Sequence, residues 1–243
     1  MTNTIHSFHI PVMGTGFSVD TPIRIAPFGI SSVISIVDDL LFEKIRKYYA
    51  EKYGLPYHKI AKDDEDGRAK RISAYLNVVH EIVQKKMEEI KQQPFFENNN
   101  KQKYFELLPE DSMLKQKYNK LLKMKACDER NDLEKDLTLN MKPGSIDVNI
   151  MVNVDRIRFN KNGDPLGKEF TDAKAGLRGY ANSCLHSSIV FSAGFNRSLY
   201  SYISKFRDFY RDKMGRIKKR IILKVSDFRS ALIQGKFFGQ KRT

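Results

Sequence analysis

The stretch HIPVMGTGFSVDTPIRIAPFGISSVISIVDD, His9 to Asp39, decides the fold of this 243-residue chain. It holds a single basic residue, Arg24, in a chain that carries 43 lysines and arginines. Phe8, Ile10 and Val12 open a short strand, and Gly14 and Gly16 mark a turn. Thr21 reads as an N-cap with Pro22 at the first helical position, where a missing N–H costs nothing. Ile23, Ile25, Ala26 and Phe28 give a short helix that must stop near Gly29. The run SSVISIV is then β-branched or apolar at nearly every position, as in a strand covered on both faces of a parallel sheet. Strand, helix and strand within about thirty residues make a βαβ unit.

Outward from that unit the chain divides into three. Residues 1–41 hold the first βαβ unit. Residues 42–141 read as an α-helical insertion or subdomain: Ile72, Leu76, Val79, Val83, Met87 and Ile90 form one helical stripe. Tyr104 to Met124 reads as helix broken near Pro109, PFFENNNKQ as a polar break and KACDERNDLEKDL as mixed-charge surface. Residues 142–243 return to the α/β pattern. Strands are expected at about Ile146 to Val154, in SSIVFSAG and in RIILKV. A long glycine-containing connection with a short helix separates the first two. A helix is expected through SLYSYISKFRDFYRDKMG, and another starts in DFRSALIQGKFF. Five strands alternating with helices define an α/β class with a parallel sheet, whose sites lie at the carboxyl ends of the strands. Those ends are MGTG, VDD, MVNVD, SAGFN and KVSD.

Composition narrows the class. A hydrophobic share of 41% supports a core. Two cysteines, Cys127 and Cys184, cannot staple a chain of this size, so a reduced, cytoplasmic setting is expected. There is no run of about 18 apolar residues, so no membrane span is expected, and MTNTIHSFHIPV lacks the basic-then-apolar pattern of a signal peptide. The formal charge of +14 is unevenly spread. Residues 1–41 carry −2, residues 42–141 carry +3, and residues 142–243 carry +13. A basic surface of that kind attracts nucleic acid or an acidic protein partner; its plainer reading is a solvated face.

Other residue groupings have plain structural readings. Cys184 and His186 in CLHSS lie two apart with no orienting acid, so a packed thiol beside a surface imidazole outweighs a nucleophile–base pair. His6 and His9 lack partners at metal-ligand spacing, and DDEDG at 63–67 reads as a loop and helix start, so no metal site is expected. GRIKKR reads as the lead-in to a strand ahead of a phosphate-binding cluster.

The strand ends, taken in order, resemble a known family. PVMG at 11–14, DTP at 20–22, GISSVISI at 29–36, PGSIDVNIMV at 143–152, IVFSAG at 189–194 and IILKVSDFRSAL at 221–232 carry the likeness. Together they resemble the first five βα units of the nitronate monooxygenase group, flavin-dependent TIM barrels that include a flavin-dependent enoyl reductase. The resemblance covers about 8–41 and 142–236. It implies an incomplete TIM barrel with a large helical insertion, and an FMN-dependent oxidoreductase acting on a small organic substrate. It implies flavin-binding roles for Pro11, Met13 and Gly14 at the first strand end, for the amide of Asn149, and for the cation of Lys224. It places Ser192 and Gly194 at the substrate pocket. Glycine admits a flat ring close to the backbone, methionine offers it a soft surface, and a cation stabilises charge on reduced flavin.

The catalytic histidine of the family follows a glycine pair after the sixth strand, and no such block occurs in this chain, so the catalytic residue is not assigned. A barrel takes eight strands, which leads to the expectation of an N-terminal portion of a longer barrel, with little activity alone. MGTG is expected at the flavin ring and not as a phosphate loop, because the helix cap comes later, at Thr21-Pro22. The alternative is a non-enzymatic basic scaffold for nucleic acid or an acidic protein. A homo-oligomer is also expected to be open to this chain, with the helical block as a dimerisation module.

Overall fold

A computed structural model of the chain describes residues 19–152, 155–160, 162–192 and 194–239. The expected first strand and the MGTG turn lie outside those residues. Four strands are formed: β1 (Ser32–Ile36), β2 (Ile146–Ile150), β3 (Ser188–Phe191) and β4 (Arg220–Leu223). They make one parallel sheet in sequence order, β1-β2-β3-β4. The α/β class with a parallel sheet is therefore present.

Alternation decides which face is covered. Ile34 and Ile36, Ile146, Val148 and Ile150, and Ile189 and Phe191 lie in the main core. Their register is tight: Ile34 pairs with Val148, Val148 with Ile189, and Ile189 with Ile221. The residues between them, Val33, Ser35, Asp147, Asn149, Ser188, Val190, Arg220 and Ile222, point to the opposite face, because side chains alternate along a strand. Val33 and Ile222 on that face remain exposed.

Helices complete the main core. α1 (Thr21–Ile25) is followed by a 3-10 turn, Ala26–Phe28, and ends at Gly29, whose φ of 77° is the left-handed value that glycine adopts without strain. Asp20, not Thr21, occupies the N-cap position, and its side chain does not cap; Asp20 is held instead by Arg24 at 2.9 Å and Tyr49 at 2.7 Å. α2 (Asp39–Tyr53) starts on an Asp38 cap that accepts from the Leu40 N–H. α3 (Gly67–Lys91) realises the expected stripe, with Ile72, Leu76, Val79 and Val83 buried against the sheet side. α7 (Asp172–Ala181), α8 (Arg197–Tyr202) and α9 (Phe228–Gly239) follow β2, β3 and β4 in turn.

The block 42–141 contributes to two cores. α2 and most of α3 join the sheet. The end of α3, with Met87 and Ile90, meets α4 (Asn100–Glu106), α5 (Met113–Leu121) and α6 (Asp128–Asn140) in a second cluster around Phe105, Tyr118 and Leu137. The polar break is a turn in which Phe96 and Asn98 take positive φ.

Three further local readings are corrected or completed. The segment read as mixed-charge surface is largely exposed and is also helical, α6, held by Leu133 and Leu137 on the second core and by an Arg130–Glu134 pair at 3.1 Å. The strand expected to reach Val154 stops as a paired strand at Ile150. The helix expected through Gly215 ends at Tyr202 and gives way to two 3-10 turns and a hairpin. The chain must turn there to lay β4 beside β3. Phe206 and Tyr210 turn extended, Phe209 is fully buried, and the Lys219 N–H meets the Asp208 carbonyl at 2.9 Å.

Candidate functional site

The carboxyl ends of the strands carry the residues the sequence singled out. Asn149 is the fourth residue of β2 and points to the open face. Ser192 follows the last residue of β3 on that same face. The Ser192 hydroxyl donates to Asn149 Oδ1 at 2.7 Å, with a longer approach to the Ile150 carbonyl at 3.3 Å. With Oδ1 so occupied, the amide is oriented by its neighbour and its NH₂ has no partner among the described residues. Lys224 follows β4; its N–H donates to the Phe191 carbonyl at 3.0 Å, extending the ladder one step. The Phe191–Leu223 pairing sets Lys224 beside Ser192 on the open face, and Lys224 is exposed. Gly194 is exposed at φ 80°, and a Cβ there would meet nothing. Its carbonyl accepts from the Tyr200 hydroxyl at 3.1 Å. Asn149, Ser192 and Lys224 are therefore brought to one face of one edge. Pro11, Met13 and Gly14 lie outside the described residues.

The loop after β2 is fastened to the loop after β3. Asp155 accepts from the Ala173 N–H at 2.9 Å, at the start of α7, and from the Asn196 amide at 3.2 Å. Asn196 in turn caps α8 through the Leu199 N–H at 2.9 Å. One carboxylate thus fixes two helix starts around the Asn149–Ser192 pair.

Beside them lies a charge lattice that sequence reasoning passed over. Asp39, the last residue of VDD, is buried between Arg68 at 2.6 Å and Arg71 at 2.6 Å. Arg68 continues to Asp172 at 3.7 Å, and Asp172 to Arg158 at 3.2 Å. Burial of Asp39 works to raise its pKa, but the Arg68 charge and the Arg71 hydrogen bond outweigh it and hold the carboxyl below its usual value. Signs alternate from the buried Arg71 outward to the half-buried Arg158. A cleft of about 820 Å³ lies between the start of α3 and the 158–170 loop, with Asp63, Glu65 and Arg68 on one side and Arg158 and Phe170 on the other. Arg178 closes the neighbouring wall on Asp66. The only sequence signal was an acid at a strand end and arginines three apart on α3, and neither says which acid they meet.

Cys184 and His186 form no dyad. Cys184 is exposed and not packed as expected, and what burial its thiol has pushes its pKa up, the reverse of an activated nucleophile. Its N–H is taken by Asn77 Oδ1 at 2.8 Å. His186 stands near His80, which burial and then the His186 charge hold low. Among the described residues there is no group of three or more His, Cys, Asp or Glu that could hold a metal ion, and no helix long and apolar enough to cross a membrane. Comparison with protein-family models, with curated proteins and with solved structures found no match.

Proposed function

We propose that the chain carries βα units of a TIM-barrel flavoprotein, an FMN-dependent oxidoreductase, with the flavin over the open face at the carboxyl ends of the strands. The observation that carries this reading is the placement of Asn149, Ser192 and Lys224 on one face of one sheet edge, in a parallel sheet whose strands follow sequence order. Sequence order is what a singly wound barrel requires.

The residues present fit the group. Asn149 offers an NH₂ that has no partner among the described residues beside an oriented carbonyl, which suits the donor and acceptor edge of a flavin. Lys224 brings a cation to the same face, and Gly194 leaves the space beside it open. Bound FMN supplies hydride or electron transfer with a small organic substrate. The chain's own residues bind and orient: Ser192 holds the amide of Asn149 in one rotation, and Asp155 fixes the loops on either side. The cation of Lys224 favours negative charge on whatever lies over the edge.

Titration of FMN with the purified chain, followed by quenching of flavin fluorescence, tests the reading. Quenching is expected to saturate, and Asn149→Ala is expected to weaken binding roughly 10-fold, the cost of about one hydrogen bond. Unchanged flavin fluorescence at high protein concentration, or equal affinity for the Asn149→Ala protein, overturns it.

A further inference from the structure

The segment from Arg207 to Arg220, between α8 and β4, concentrates positive charge at the surface, with Arg211 also donating to the Gly215 carbonyl at 3.0 Å. Arg207, Arg211, Lys213, Arg216, Lys218 and Arg220 are all exposed. The two acids in the segment are engaged: Asp212 with Arg216 at 3.1 Å and Asp208 with Lys218 at 3.6 Å. Arg207, Arg211, Lys213 and Arg220 have no acidic partner among the described residues. Four fixed positive charges therefore stand at the amino end of β4, the edge opposite to Asn149.

The segment is also rigid. Arg211 and Ile217 form an antiparallel bridge, and the Asp212 N–H meets the Arg216 carbonyl at 2.8 Å. The Asp212 carboxylate accepts from the Met214 and Arg216 N–H groups, both at 2.9 Å, and Gly215 closes the turn at φ 76°. The root is anchored twice. Phe209 is fully buried, and Lys219, only 1% exposed, donates to the carbonyls of Tyr180, Ala181 and Ser183 at 2.8, 2.9 and 2.7 Å. A hairpin held this way loses little conformational entropy when it binds.

We infer that this hairpin docks, without sequence preference, on the phosphate backbone of duplex DNA. Arginine matches phosphate geometry, and each neutralised phosphate releases counterions. A single tight hairpin is narrow enough for a major groove about 12 Å wide, so that cations on both of its arms reach the flanking phosphates. An anionic bilayer is the weaker fit, because Met214 is the one large apolar side chain exposed at the tip. The inference is independent of flavin binding.

The test is fluorescence anisotropy of a labelled duplex of about 20 base pairs with the full chain, at about 50 and 200 mM KCl. Four phosphate contacts predict a loss of about 150-fold in affinity across that fourfold rise in salt. The Arg211→Ala/Lys213→Ala/Arg220→Ala protein is expected to bind at least roughly 10-fold more weakly at low salt, with its salt dependence reduced to about 4-fold. Lys120→Ala/Lys123→Ala/Lys125→Ala removes the same charge from an exposed stretch elsewhere and is expected to bind like the parent. Equal loss in that control, no binding at low salt, tighter binding to single-stranded DNA of the same length, or tighter binding to phosphatidylserine vesicles each overturns the inference.

Discussion

The two edges of the sheet carry charge in opposite ways. At the carboxyl edge, Arg71, Asp39, Arg68, Asp172 and Arg158 alternate in sign, and their inner members are buried. At the amino edge, the hairpin presents cations to solvent, and four of them have no acidic partner among the described residues. Matched charge under cover holds elements together, because each member loses its partner's compensation if it is removed. Unmatched charge in water contributes little to the fold and is free for a partner. The same side chain, arginine, therefore ties buried elements together at one edge and mainly faces solvent at the other. Breaking each edge by mutation separates the two roles.

The largest expected effect belongs to the buried lattice. Arg71→Met leaves the buried Asp39 short of one of its two cations, and is expected to cost about 3–5 kcal/mol in a urea denaturation curve. The pH profile sharpens this. A carboxyl whose folded pKa is depressed stabilises the fold above its unfolded value, about 3.9, and that stability is lost as pH falls through the lower folded value. The parent chain is therefore expected to lose stability below about pH 4. The Arg71→Met chain starts lower and falls less steeply over the same window. A steeper acid loss in the variant would show that Asp39 owes its low pKa to other groups.

A smaller effect is expected where the helices meet. α3 and α7 cross at Gly179, where an added Cβ would lie 2.6 Å from Ile72 Cγ2 and 2.9 Å from the Ala69 carbonyl. Gly179→Ala is expected to cost about 1–3 kcal/mol through overpacking. Against an Ile72→Ala background, which lacks the Cγ2 methyl at the contact, the same Gly179→Ala substitution should cost less, a partial recovery read in the same denaturation assay. No recovery would mean that the backbone contact to Ala69, and not the Ile72 side chain, sets the spacing.

These positions explain what was legible in the sequence. Strands of the type SSVISIV announce themselves because burial on a parallel sheet selects β-branched runs, and β1, β2, β3 and β4 all fall inside the stretches read as strands. The stripe on α3 was equally plain, since a 3.6-residue period survives any tertiary context. What periodicity cannot show is a long-range charge pairing. Asp39 and Arg71 are 32 residues apart, and nothing local distinguishes them from solvated residues. Aromatic spacing misled in a related way: Leu199, Ile203, Phe206 and Tyr210 suit a helix, but the need to return the chain to β4 broke it at Tyr202. Pairing across strands is the third case. Asn149 and Ser192 were each marked by the resemblance to the flavin barrels, yet the hydrogen bond between them follows from register alone.

That pair gives the smallest expected change in stability and the most discriminating one in function. Ser192 is half-buried, and its hydroxyl closes one contact at 2.7 Å on an open face where water can replace it. Ser192→Ala is therefore expected to change stability by less than about 1 kcal/mol. If the pair were only a local tie between β2 and β3, nothing else would follow. If Ser192 serves to fix the amide of Asn149 toward a bound group, the same substitution frees the amide to rotate. Flavin affinity should then fall severalfold at unchanged stability, and Ser192→Thr, which keeps the hydroxyl, should restore it. Loss of affinity and stability together, or loss in both the alanine and threonine chains, would assign Ser192 to the fold and leave Asn149 without a positioning partner.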